Sequence, residues 1–154
     1  MSWAGKKSFR ESLRSLFHPK NQAPSFSANR QPAAELPEEE LARLDPVVEA
    51  WVQDKGYRRP DPTIEAAAVR MGMDSRKLHQ YALARFGLDF RTWRSRLRIR
   101  DAQEALLQEP AVPASVIARR VGYNDRSNFA RHFKEATGMT PAQWRRENAP
   151  TCGA

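Results

Sequence analysis

The octet GLDFRTWR (87–94) and the octet GMTPAQWR (138–145) share one frame, set 51 residues apart. Each has a Gly, an apolar residue, a helix-capping residue and a closing Trp-Arg. Gly ends a helix because it takes left-handed backbone angles without cost, and Asp or Thr starts the next by accepting from free N–H groups. A chain that writes the same stop and start twice restricts itself to two copies of one helical unit. The match extends upstream, where AAVRMG (67–72) answers IARRVG (117–122) and Leu78 answers Phe129. Each copy, at 63–94 and 114–145, reads helix, Gly, short turn, helix, Gly, capped helix with Trp. Two short helices around a tight Gly-containing turn form a helix-turn-helix. Ala68 and Ala118 are small enough for the second helix to cross closely, Gly72 and Gly122 permit the turn, and Leu78 and Phe129 face inward.

The same punctuation continues outside the repeat. Pro37 followed by Glu38, Glu39 and Glu40 suits a helix start, and Asp45-Pro46 offers a second cap and first-turn proline. Val47, Val48, Trp51 and Val52 then form an apolar stripe that Gly56 closes. Asp61-Pro62, Asp74, Asp89, Pro113, Asn124 or Asp125, and Thr140-Pro141 open the remaining helices. The alternation of β-branched residues that marks strands is missing. The expected fold is all-α, seven helices in two helix-turn-helix subdomains joined by a long linker helix.

That linker, about 90–109, carries two stripes. At roughly 100° per residue, Phe90, Trp93 and Leu97 share one side, and Ile99, Ala102 and Leu106 share nearly the opposite one. A helix against a single core keeps a single stripe. One that changes sides midway suits a rod whose two halves pack on two small cores. Arg91, Arg94 and Arg98 fall on a third face.

Charge is segregated. Residues 1–30 hold six Lys and Arg against one Glu, residues 31–62 are net −4, and residues 63–154 are net +7. A basic chain of formal charge +8 points to an anionic polymer, nucleic acid before a membrane surface. Cys152 is the only cysteine, so no internal disulfide forms, and neither metal nor cofactor is expected. With no apolar run of about 20 residues and no signal-peptide pattern, the expectation is a cytoplasmic protein. The absence of a Gly-rich phosphate loop or of paired-carboxylate spacing argues against an enzyme. Residues 1–35 read as a basic, disordered tail, 36–147 as the double helix-turn-helix domain, and 148–154 as a disordered C-terminus. Within the domain the first unit is about 46–88 and the second about 113–147. Phe9, Leu13, Leu16 and Phe17, at helical spacing among basic residues, give residues 1–20 an alternative as an amphipathic helix on an anionic membrane.

With these residues in place, the segment from about 45 to 147 resembles the AraC/XylS family of bacterial transcription regulators. IARRVGYNDRSNFARHFKEATGMTPAQWR (117–145) carries the resemblance through Ile-Ala, Val-Gly-aromatic, Ser-x-Phe, Phe-Lys, Gly-x-Thr-Pro and aromatic-Arg. The first unit departs from the pattern, with Ala82-Leu83 where the second has Phe133-Lys134. Many family members add a ligand-sensing domain, and the roughly 45 residues before the match are too few for one. FRTWRSRLRIRDAQEAL (90–106) is also similar to members in which this domain is the cytoplasmic tail of a membrane sensor.

The resemblance implies double-stranded DNA as partner, with RNA polymerase as a further candidate. The second helix of each unit would enter the major groove, whose base edges present a unique donor and acceptor code. Excluding inward positions leaves Arg76, Lys77, His79 and Gln80 in the first unit as base readers. In the second they are Arg126, Asn128 and Arg131. Phosphate contacts are expected from Ser75, Arg91, Arg94, Arg98, Ser127, Lys134, Thr140 and Arg145. The competing reading is a cytoplasmic signalling or interaction module, or a peripheral membrane module, with weak non-specific DNA binding.

Overall fold

The computed structural model describes residues 35–60 and 63–149. The expectations for residues 1–34, for Asp61-Pro62, for Cys152 and for the end of the chain from residue 150 lie outside those residues. The described part contains seven α-helices, one 3-10 turn and no strand.

Helix α1 (Glu38–Gln53) runs straight through Pro46. The expected break at Asp45-Pro46 is therefore corrected, and its reason is tertiary. A mid-helix proline loses one backbone bond, yet Leu41, Val48 and Trp51 on either side are buried. Asp45, expected as a cap, instead faces α3 (Ser75–Phe86), where it accepts from Tyr81 Oη at 2.7 Å and from Arg85 Nη2 at 2.9 Å. A second correction concerns the end of α1. Lys55, not Gly56, takes the left-handed angle (φ 55°), while Gly56 lies so close under Trp51 that an added Cβ would sit 2.3 Å from its Nε1.

After the 3-10 turn at Gly56–Arg58, α2 (Ile64–Arg70) opens on Thr63, whose side chain accepts from Ala66 N. Asp74 caps α3, Asp89 caps the linker helix α4 (Phe90–Gln108), and Asp125 rather than Asn124 caps α6 (Arg126–Thr137). Helix α5 (Ala114–Arg120) precedes α6, and α7 (Pro141–Asn148) closes the fold. The start of α7 is a capping box: Thr140 Oγ1 accepts from Gln143 N, and the Gln143 side chain accepts from Thr140 N.

Two cores form, and the linker serves both. Phe90, Trp93 and Leu97 enter a first core with Val48, Trp51, Leu78 and Tyr81. Ile99, Ala102 and Leu106 enter a second with Ile117, Val121, Phe129 and Phe133. The switch of sides read from helical spacing is thus the arrangement found. The first core is an aromatic stack, with Trp93 lying 4.9 Å from Phe86 and 5.7 Å from Trp51 between ring centroids. The second is smaller and centres on Phe129 and Phe133, their rings 5.6 Å apart, with Trp144 edge-on to Phe133.

Candidate nucleic-acid interface

The site is two short helices, each held by its inward residues. In α6, Phe129 and Phe133 are buried and anchor the helix on α5 and α4. That fixes the outer side, where Ser127, Asn128, Arg131 and Lys134 are exposed, with Arg126 exposed at the first position of the helix. Asp125 Oδ1 accepts from Ser127 N at 2.6 Å and from Asn128 N at 3.1 Å, so the first turn of α6 is pinned with its side chains outward. Arg131 donates to Asn128 Oδ1 at 3.2 Å and lies near Glu135 at 3.6 Å, which joins two of the three expected base readers in one array.

Behind this array lies a hydrogen-bonded triangle that sequence reasoning missed. The Tyr123 hydroxyl and the Ser95 hydroxyl are 3.0 Å apart, and His132 Nδ1 lies 3.0 Å from the first and 3.2 Å from the second. His132 Nε2 lies 3.3 Å from Arg131 Nη2. The triangle ties the recognition helix to the linker helix and buttresses the Arg131 side chain. Burial, with Arg131 beside it, holds the His132 imidazole below its ordinary value, so the neutral form that can accept from Arg131 is favoured. The only signal in the sequence was His132 one residue before Phe133.

In α3, Leu78, Tyr81 and Ala82 are buried, Arg76 is exposed, and Ser75, Lys77, His79 and Gln80 are half-buried. Lys77 pairs with Glu40 of α1 at 2.7 Å, and Arg85, further along, pairs with Glu38 and Asp45. The first recognition helix is therefore paired with acids of another helix, whereas Arg131 of the second is paired with Glu135 of its own.

The linker arginines part ways. Arg91 is exposed and lines an open cleft of about 320 Å³ between α4 and α6, together with Thr92, Ser95, Arg96, Arg131 and His132. Arg94 lies over the Phe90 ring at 5.7 Å. Arg98 points into the molecule: its Nη2 donates to the Arg59 carbonyl at 2.7 Å, its Nε to the Tyr57 carbonyl, and its guanidinium lies 5.7 Å over the Tyr123 ring. Burial, with Arg94 near it, pushes Arg98 down to about 10, which still leaves it charged at neutral pH. Arg145 is likewise turned inward, donating to the carbonyls of Leu106 at 3.1 Å and Val112 at 2.6 Å. Both were expected on phosphates. The structure gives their guanidinium groups main-chain partners instead, because carbonyls left free at helix ends and turns need donors. Thr140 is occupied by its capping box, and its neighbour Pro141 is buried.

Two compact helical units, each presenting the outer face of its second helix, define a tandem helix-turn-helix protein. A family model described as a helix-turn-helix domain matches residues 67–147. The transcriptional activator NphR of a Rhodococcus species is 31% identical over 111 residues, which are 72% of this chain and 31% of that protein. The arabinose operon regulatory protein of Escherichia coli is 29% identical over 82 residues, 53% of this chain and 28% of that protein. Among solved structures, the C-terminal domain of AraT, a response regulator from Geobacillus stearothermophilus, superposes with a TM-score of 0.62. That domain is 29% identical, and the match covers 73% of this chain and 93% of that one. The chain belongs to the AraC/XylS family of helix-turn-helix transcription regulators. It spans about a third or less of the length of the curated relatives it matches.

Proposed function

We propose that the chain binds double-stranded DNA sequence-specifically as a cytoplasmic transcription regulator, with α3 and α6 in successive major-groove segments about 34–36 Å apart. The observation that carries this is the two-sided character of α6. Phe129 and Phe133 are buried while Asn128 and Arg131 are exposed on the outer face and Arg126 is exposed at the capped start of the helix. Arg126 or Arg131 suits a bidentate contact to guanine, and Asn128 or Gln80 suits adenine. Arg76, Lys77 and His79 complete the first reader. Arg91, Arg94, Ser75, Ser127, Lys134 and Thr140 lie along the flanks and take phosphate contacts, which position without specifying. The first unit is about 46–88 and the second about 113–147. Because both readers sit in one chain, the site is asymmetric. The activator role in the name of NphR supports activation through contact with RNA polymerase.

Selection from random duplexes, followed by filter binding over a salt series, tests the reading. The expected outcome is a bipartite motif and, for roughly six neutralised phosphates, a slope of log K against log salt near about −5. Equal retention of every duplex would replace this proposal with a non-specific architectural binder, and a salt-independent response would reject groove binding altogether.

A further inference from the structure

The turn between α1 and α2 touches more of the molecule than its length suggests. Asp101, on the linker helix, is the one charged side chain buried among the described residues. Its carboxylate accepts from Arg58 through Nη2, at 2.7 Å to Oδ1, and through Nε to Oδ2. It also accepts from Tyr57 Oη at 3.2 Å and lies 3.7 Å from Lys55 Nζ. Arg98, almost one helical turn earlier, donates the other way, to the carbonyls of Tyr57 and Arg59. Residues 55–59 and the linker therefore exchange bonds in both directions.

The same turn reaches both units. The Tyr57 ring packs edge-on to Trp51 in the first core, 6.3 Å between centroids. On the other side the Arg58 main chain meets the turn of the second helix-turn-helix. A Cβ on Gly122 (φ 106°) would stand 2.6 Å from the Arg58 carbonyl and 2.9 Å from Arg98 Nε. No side chain fits there, so the second unit closes directly on the segment leading into the first. Elsewhere, the extensive helix packing stays within a unit or runs against the linker.

We propose that Lys55–Arg59, Arg98 and Asp101 form a clasp that sets the angle between the two units, and with it the half-site spacing the chain accepts. This rests on the two-segment reading above. One base pair of spacing moves a half-site by about 3.4 Å and turns it by about 35°. With residues 55–59 held by a forked ion pair to the second half of the linker, the units follow that movement less readily than they would with the two cores alone. Buried ion pairs contribute little net stability but can fix one arrangement among several. Arg58, Arg98 and Asp101 are thus positioning residues for spacing, acting through the recognition helices.

The test uses the full chain and its selected duplex, with one or two base pairs inserted between the half-sites, and with each half-site alone. Wild type should lose about tenfold or more in affinity on a one-pair insertion. Arg58→Gln and Asp101→Asn should each keep wild-type affinity for single half-sites and show a clearly smaller insertion penalty. Arg58 is half-exposed, so its variant stays informative if Asp101→Asn melts early. Spin labels at Val69→Cys and Arg146→Cys, in a Cys152→Ser background without DNA, should give a broader distance distribution in the Arg58 variant. A wild-type penalty that both variants retain in full, with an unchanged distribution, overturns the clasp alone. A wild type indifferent to insertion overturns the two-segment reading and the clasp with it.

Discussion

The two helix-turn-helix units share a frame and spend their charges differently. In the first, Lys77 and Arg85 of the recognition helix are paired with Glu40, Glu38 and Asp45 of α1, and Tyr81 is bonded to Asp45. In the second, Arg131 is paired within its own helix, with Glu135, and Arg126, Arg131 and Lys134 are exposed. One scaffold thus stands in two different surroundings. The first unit is fastened by long-range ion pairs and an aromatic stack. The second is fastened by Phe129, Phe133 and the Tyr123–Ser95–His132 triangle, with Arg126, Arg131 and Lys134 exposed on its recognition helix. The expectation is two readers, of which the second carries the larger share of the sequence preference.

The core supplies the largest test. Phe133 occupies the place that Ala82 holds in the first unit, and both are fully buried. Phe133→Ala should cost about 3–5 kcal/mol in urea or thermal unfolding, because a small second core has little with which to fill the cavity. Ala82→Phe should cost about 1–3 kcal/mol by overpacking. A Phe133→Ala penalty no larger than that of Ala82→Phe would break the picture of two differently filled cores.

Next in size is DNA recognition. Arg131→Ala should lose about 1–3 kcal/mol of preference at one base position, whereas Arg94→Ala should weaken all sequences alike. Uniform weakening by both, in competition titrations against single-base variants of the selected site, would show that Arg131 positions the second unit without specifying.

A smaller effect follows from His132. An unfolded imidazole takes its proton near about 6.5, and the native one, held lower by burial and Arg131, takes it only at more acid pH. The native state binds fewer protons across that window. The stability contributed by the neutral ring is therefore full above it and is lost as the pH falls through it. The stability difference between wild type and His132→Gln should shrink from pH 7.5 toward pH 5.5, and a constant difference would detach the triangle from titration. The smallest effect belongs to the other unit. Glu40→Gln removes the partner of Lys77 and one acidic charge beside α3, so duplex affinity should rise slightly without a change in base preference. A changed motif would give the first unit an equal share of the reading.

How much was legible in the sequence depended on range. The caps at Asp74, Asp89, Asp125 and Thr140 each act over two or three residues, so residue type and position sufficed to place them. Pro46 misled because the local rule was overruled by bonds from Asp45 to Tyr81 and Arg85, some 36 and 40 residues away. Arg98 and Arg145 were read as surface cations for the same reason. Their acceptors are main-chain carbonyls 33 to 41 residues distant, and carbonyls carry no signature in a sequence. Asp101 left a faint mark, as an acid between apolar Ile99 and Ala102 on a basic helix, but nothing local named Arg58 as its partner.

The sequence alone determined the repeat, the side-switching linker and the helix ends other than those around Pro46 and Gly56, because caps and apolar periodicity are written within a few turns of chain. Tertiary structure alone decided which arginines face outward and which are consumed inside, and how the turn after α1 grips the linker. A guanidinium has five donors and a long stem, and only the fold brings acceptors within its reach.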